Sequence, residues 1–245
     1  MYAPIWGFLF NAIKFYTFKI MNKKLIDYLS QFISDERRSK FDDVINFRTR
    51  HITIALEDIY QPHNASAVLR SCDIFGIQDI HIIENKNAYT VSRHVAMGAP
   101  KWLNLIKYKA TEENNSLNCI KNLKTKGYKI VATTPNTTDC TIENLSIDQP
   151  LALFFGTELT GISDEVKQYA DEFVKIPMFG FTESFNISVS AALCLHTLTS
   201  RLHTSDINWQ LNSNEKDELI LTWLRNTIKK VDLIEKDFLK KMTLL

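Results

Sequence analysis

Leu151-Ala-Leu-Phe-Phe-Gly-Thr-Glu-Leu-Thr-Gly-Ile-Ser163 is the stretch on which the fold turns. Five apolar residues, Leu151–Phe155, run without interruption into Gly156. A strand that is apolar at every position is buried on both faces, as in a parallel sheet covered by helices on both sides. After Gly156 come Thr157, Glu158 and Gly161, then Ser163 and the helical run Asp164–Ala170. Strand, glycine turn and helix in succession put this loop at the carboxyl edge of the sheet, where α/β proteins bind ligands. The glycines do not spell G-x-G-x-x-G and no P-loop lysine follows, which argues against a dinucleotide or nucleoside-triphosphate fold. On its own the loop leaves Glu158 as either a buried acceptor or an ordinary surface residue.

Outward from that loop the pattern repeats. Ile52–Leu56, Ile80–Ile83, Trp102–Tyr108, Tyr128–Thr133 and Phe173–Ile176 read as strands. Ala65–Phe75, Glu112–Lys126 and Asn186–Leu202 read as helices between them, the second ending at Gly127. Alternation of this kind predicts an α/β fold, a mostly parallel sheet with helices on both faces. Residues 22–33 carry apolar side chains on one helical face, and Ser34 before Asp35 and Glu36 predicts a second helix over 35–47. Residues 213–241 are again helical and of mixed charge. The expected organisation is an appendage over 1–20, helices over 21–50, the α/β domain over 51–202 and a helical extension over 203–245.

Composition bounds the function. The 245 residues are 45% hydrophobic and 23% charged, enough for a sizeable core and incompatible with global disorder. A net charge of +1 means that any nucleic-acid surface must be a local patch. The four cysteines contain no C-x-x-C and are expected to be reduced thiols of a cytoplasmic protein. The six histidines form no H-x-x-x-H pair, so no metal site is expected. Residues 1–20 are aromatic and apolar but interrupted by Lys14 and Lys19, too short a run to span a membrane. Three readings stay open for them: an upstream translation start with Met21 as the working one, an amphipathic appendage, or an anchor.

Two further segments carry chemistry. In Gln61-Pro-His-Asn-Ala-Ser-Ala-Val-Leu-Arg-Ser71, Asn64 is placed to cap a helix and Arg70 follows among apolar neighbours. Arg70 fits either a structural ion pair or a site guanidinium. In Ile176-Pro-Met-Phe-Gly-Phe-Thr-Glu-Ser-Phe-Asn-Ile-Ser-Val-Ser190, the residues Ser184, Asn186 and Ser188 cluster at the mouth of a helix, more polar groups than capping needs.

Together the three segments resemble the SpoU/TrmH branch of the SPOUT RNA methyltransferases, over roughly residues 51–202. N-x-x-A-x-x-R-S stands as Asn64, Ala67, Arg70 and Ser71. F-G-x-E-x-x-G-[LI]-S stands as Phe155-Gly156-Thr157-Glu158, then Gly161-Ile162-Ser163. I-P-M-x-G-x-x-x-S-[LF]-N-[IV]-S-V stands as Ile176-Pro177-Met178, Gly180 and Ser184 through Val189. Order and spacing match the family, most closely the TrmH group, whose members methylate the 2'-hydroxyl of a tRNA D-loop guanosine.

The resemblance implies a trefoil knot in the carboxyl-terminal part of the sheet domain, S-adenosylmethionine held by the knot loops, and a homodimer through the knot region. Carried residue by residue, the cofactor loops fall at Thr133, Gly156, Thr157, Ile176, Met178, Phe185 and Asn186. Phe185 stands where Leu is usual. The catalytic set implied is Arg70 with Asn64, Glu158, Ser184 and Asn186. The RNA contacts expected are His63, Arg37, Arg38, Arg48, Arg50 and Arg201; as a charge run, the arginines fit a solvated face equally well. The partner is RNA, with tRNA favoured because only about 30 residues separate Met21 from the first strand, too few for a separate RNA-binding domain. Neither a membrane nor DNA is expected, since a 2'-hydroxyl acceptor excludes DNA. Ribosomal RNA as substrate, and a non-catalytic RNA-binding protein on the same scaffold, remain as alternatives.

Overall fold

A computed structural model describes residues 21–243 of the chain; the expectations for residues 1–20 lie outside the described residues. Its central sheet has seven strands: β1 (Ile52–Glu57), β2 (Asp79–Ile83), β3 (Asn104–Tyr108), β4 (Lys129–Thr133), β5 (Cys140–Thr141), β6 (Leu151–Phe155) and β7 (Glu172–Lys175). Their order across the sheet is β3-β2-β1-β6-β4-β7-β5, and every pairing is parallel. Helices α3 (Pro62–Ile74), α4 (Arg93–Ala96), α5 (Asn115–Thr125), α6 (Asp164–Tyr169) and α7 (Ile187–His203) connect the strands or follow them. Outside them lie α1 (residues 21–30), α2 (Asp35–Ile45), α8 (Ser213–Thr227) and α9 (Val231–Thr243).

The apolar run Leu151–Phe155 is β6 and occupies the middle of the sheet, between β1 and β4. Its residues alternate between two cores, as the two-residue period of a strand requires. Leu151, Leu153 and Phe155 join Ile52, Ile54 and Leu56 of β1 against α3 and α7. Ala152 and Phe154 join Ala55, Ile130 and Ala132 against Cys119, Ile120 and Leu123 of α5 and Val166 of α6. Both faces of the strand are thus buried, which explains the absence of any polar residue in it.

Several expectations are refined. Asn64 does not cap α3: the cap position is Gln61, and Pro62 takes the first helical position, where its missing N–H costs nothing. The helix beginning at Asn186 keeps its boundary, with Asn186 as its cap. The two-residue strand β5 was not anticipated, because so short an element carries no periodic signal; its pairing with β7 defines it. The single carboxyl-terminal helical run is two helices, separated at Ile228, which is extended, and Lys230, which has φ 56°.

The contacts divide the chain into two compact units, 48–210 and a second made of the described residues up to 47 together with those from 211 on. The boundaries expected at 50/51 and 202/203 therefore move. Thr49 is the reason at one end: it bridges to both Ile77 and Gln210, and its hydroxyl donates to the Trp209 carbonyl at 2.7 Å. In the second unit Phe41 of α2 packs on Trp223 of α8, with ring centroids 5.3 Å apart. Tyr28 of α1 packs on Phe238 of α9 and donates to Asp237 at 2.7 Å. Among the described residues no helix is long and apolar enough to cross a membrane, and no group of three or more His, Cys, Asp or Glu side chains is placed to hold a metal.

Candidate active site

The three motifs meet at the carboxyl edge of the sheet. Glu158 follows β6, Asn64 lies in the first turn of α3 and Asn186 caps α7. Asn64 Nδ2 donates to Glu158 Oε1 at 2.7 Å and to Gln61 Oε1 at 3.1 Å. Asn186 Nδ2 donates to the same Glu158 oxygen at 2.9 Å and to Asn64 Oδ1 at 3.1 Å. The Asn186 oxygen in turn accepts from the Ser188 N–H and hydroxyl, at 2.9 and 2.6 Å. A closed triangle of one carboxylate and two amides results, its corners 94, 122 and 28 residues apart in sequence. Asn64 is buried within it. Glu158 is therefore a hydrogen-bonded acceptor rather than an idle surface carboxylate.

The glycine turn has a steric cause. A Cβ on Gly156 would lie 2.1 Å from the Gly161 carbonyl oxygen, closer than any real side chain approaches backbone. The close approach is a two-way backbone bridge: Thr157 N donates to Gly161 O and Gly161 N to Thr157 O, both at 3.0 Å. Gly161 sits at φ 68°, left-handed backbone that favours glycine. Ser163 then caps α6, accepting from Val166 N at 3.2 Å.

Beside this turn lies a cavity of about 900 Å³. Thr133, Gly156, Thr157, Ile176, Met178 and Phe185 all line it, as do Glu158 and Ser184. Asn186 is not among the lining residues; it stands in the triangle. The cavity wall also includes the polar loop Thr134–Asp139, which sequence reasoning passed over, and Cys194. Burial is the main cause that pushes the Cys194 thiol up to about 12, with Glu143 adding to it, so this thiol stays protonated at physiological pH. The apolar Ile176, Met178 and Phe185 and the polar Thr133, Glu158 and Ser184 form a mixed lining, apolar surface with a few polar groups, as small-molecule sites have.

Arg70 is exposed and forms no hydrogen bond or ion pair among the described residues. The apolar setting expected for it does not exist: Val68 and Leu69 turn into the core, whereas Ile74 is itself 68% exposed. Six residues along α3 from Asn64 carry Arg70 well around the helix, because each residue rotates about 100°. Of the expected RNA contacts, Arg37 and Arg38 on α2 and His63 at the start of α3 are exposed. Of the other three, Arg48 is corrected, and Arg50 and Arg201 are half-buried with partners of their own. Arg48 is only 2% exposed and ion-paired to Asp73, so its guanidinium is inside the protein. Arg50 is paired with Asp79 at 3.1 Å and Arg201 donates to the Ile142 carbonyl at 3.2 Å. All three serve the sheet unit's own packing.

Sequence reasoning missed Gln61, which accepts from Asn64, and Glu57, at the carboxyl end of β1. Glu57 is 3% exposed and accepts from Ser116 and Ser163. The only available signal was a charged residue directly after an apolar strand.

A family model described as the SpoU rRNA methylase family matches residues 51–196. The tRNA (guanosine(18)-2'-O)-methyltransferase of Borreliella burgdorferi is 46% identical over 212 residues, covering 86% of this chain and 95% of that protein. Among solved structures, the TrmH/SpoU tRNA modifying enzyme of A. aeolicus superimposes with a TM-score of 0.69 at 24% identity, over 80% of this chain and 98% of that one. The SpoU methyltransferase AviRb of Streptomyces viridochromogenes, solved with the cofactor AdoMet, gives a TM-score of 0.54 at 19% identity, over 66% and 62%.

Proposed function

The chain belongs to the SpoU rRNA methylase family, and from that premise we propose that it methylates the ribose 2'-hydroxyl of an RNA nucleotide, with a D-loop guanosine of tRNA as the target.

 The preferred base is guanine, as in the activity for which the Borreliella relative is named. The observation that carries this reading is the Asn64–Glu158–Asn186 triangle closing beside a cavity lined by the second and third motifs.

The residues present fit S-adenosylmethionine. Thr133, Gly156, Thr157, Ile176, Met178 and Phe185 would hold it, the last three offering apolar contact and the glycine turn backbone polar groups. When bound, the cofactor would supply an electrophilic methyl on a sulfonium, the methyl–sulfur bond being exchanged for a methyl–oxygen bond, with the hydroxyl proton released to solvent or a neighbouring acceptor. Positioning dominates such an in-line transfer. Arginine stays protonated under ordinary conditions, so Arg70 binds the adjoining phosphate and polarises the hydroxyl. Its guanidinium, exposed and uncommitted, is available for that contact. Asn64, Glu158 and Asn186 hold the loop ends in register, and Ser184 presents its hydroxyl at the cavity wall.

His63, Arg37 and Arg38 contribute phosphate contacts, which dominate RNA affinity. A homodimer is part of the same reading, with the knot region as its interface. Phe179 and Phe181, fully exposed before α7, and Val189 and Leu193, one turn apart on its outer face, support an apolar interface there. The trefoil knot itself is expected of residues within 129–203.

Nucleoside mass spectrometry tests the function. Purified protein and S-adenosylmethionine are incubated with unmodified tRNA and, separately, ribosomal RNA. The expected product is 2'-O-methylguanosine in tRNA alone; methylation of ribosomal RNA alone moves the substrate, and no 2'-O-methyl nucleoside in either overturns the reading.

A further inference from the structure

Glu57 lies at the carboxyl end of β1, beneath the glycine turn, and its carboxylate is almost wholly inside the protein. Both of its oxygens accept hydrogen bonds. Oε2 accepts from the Ser163 backbone N–H at 2.8 Å and Oε1 from the Ser163 hydroxyl at 2.7 Å. Oε1 also accepts from the Ser116 hydroxyl, in the first turn of α5. The two partners differ in what they carry. Ser163 closes the loop that begins at Gly156 and caps α6. Ser116 belongs to a second chain of bonds, accepting from Asn85 Nδ2 at 2.8 Å, while Asn85 Oδ1 accepts from Asn115 N at 3.0 Å.

We propose that Glu57 is a positioning residue for the methyl-transfer site: by gripping Ser163 at both its N–H and its hydroxyl, it holds the Gly156–Gly161 turn in the shape that forms the cofactor wall. The inference rests on the cofactor reading of the cavity given above. Its physical basis is that an ionised carboxylate only accepts hydrogen bonds. Ser163 offers two donors in fixed directions, and a carboxylate matches both. An amide in the same place keeps one acceptor, which its oxygen can give to the Ser163 N–H, but its nitrogen then faces the Ser163 and Ser116 hydroxyls. Both hydroxyl protons lose their acceptor in a buried site, and the Ser163 side chain and its loop must shift to find another. Because Gly156 and Gly161 are already in backbone contact, the turn has little room to absorb the shift without changing the cavity wall.

The test separates positioning from general support of the fold. Glu57→Gln, Ser163→Ala and Ser116→Ala are compared with wild type for S-adenosylmethionine affinity by calorimetry, RNA affinity by filter binding, and kcat at saturating cofactor. For Glu57→Gln, cofactor Kd rises at least ~10-fold, the scale of one disrupted charged hydrogen bond, while RNA affinity and saturated kcat change less than about threefold. Ser163→Ala weakens the cofactor in the same sense by a smaller factor, and the Glu57→Gln/Ser163→Ala double variant is no worse than Glu57→Gln alone. Ser116→Ala lowers Tm but leaves cofactor Kd within about twofold. The proposal is overturned if Glu57→Gln leaves cofactor Kd within twofold, or if Ser116→Ala and Ser163→Ala weaken the cofactor equally, which is the behaviour of a merely structural carboxylate. Should Glu57→Gln fail to fold, the contrast between the two serine variants decides. Wild-type protein that binds no S-adenosylmethionine overturns the cofactor reading itself, whereas wild-type binding with unaffected variants overturns only the role of Glu57.

Discussion

The two edges of the sheet are built on opposite principles. At the amino edge, charges are neutralised on the spot: Arg48 by Asp73, Arg50 by Asp79 and Lys129 by Glu172. His51 Nε2 is engaged with the Ile147 carbonyl at 2.7 Å, and Asp171 accepts from Ile130 N at 2.8 Å. At the carboxyl edge the polar groups of Asn64, Glu158 and Asn186 are held by one another beside a cavity, and on α3, which runs between the two edges, Arg70 is left uncommitted. The difference teaches where this chain stabilises itself and where it keeps chemistry available. Residue type does not distinguish a committed group from an available one, since Arg48 and Arg70 are both arginines; only their partners do.

The contrast is sharpest for the arginines, and the largest expected effect is at Arg70. Arg70→Ala lowers the methyl-transfer rate by about 10³-fold, the scale of removing one charged group from a reaction centre, with Tm unchanged in a thermal melt. Arg48→Ala does the reverse. It leaves Asp73 without its buried cation and costs about 3 kcal/mol of stability, read by urea denaturation, while activity per folded molecule stays near wild type. If the two variants exchange these effects, the division between committed and available arginines is wrong.

Gly156→Ala comes next. Its Cβ has no room against Gly161, and the displaced turn lowers methyl transfer by about 10²-fold, the cost of a misplacement on the order of 1 Å. The smallest effect lies between the edges, at His81 in β2. Burial is the chief cause that lowers its imidazole from 6.5 to about 4, with Lys126 acting in the same direction against Asp79. The folded protein therefore binds this proton less readily than the unfolded chain. Stability is unaffected above about pH 6.5 and falls as pH drops towards 4, by about 2 kcal/mol between pH 7 and 5. Urea titrations of wild type and His81→Gln at both pH values check it: the variant loses that part of the pH dependence.

Much of the carboxyl edge was readable before any coordinates. Each motif is local, and glycine, proline and capping residues state their business within a few positions. Asn64, Glu158 and Asn186 were singled out one by one, and so were Thr133, Gly156, Thr157, Ile176, Met178 and Phe185 of the cavity wall, but not its loop Thr134–Asp139. Their roles were less accessible. Asn64 resembled a helix cap because Asn often is one, yet Pro62 had already claimed the start of α3. Arg48 and Arg50 resembled a surface patch because their partners, Asp73 and Asp79, lie 25 and 29 residues away. Glu57 passed unnoticed for the same reason, since its grip on Ser163 spans 106 residues.

Periodicity and local stereochemistry were thus sufficient for the alternating α/β order, for the buried strand Leu151–Phe155 and for the three site segments. These are short-range consequences of side-chain burial and backbone freedom, written into consecutive residues. Strand order, the union of amino- and carboxyl-terminal helices in one unit, and the pairing of each charge came only with the folded chain. Such contacts join residues that sequence separates, and their strength depends on burial and distance, quantities that exist only after the sheet has assembled.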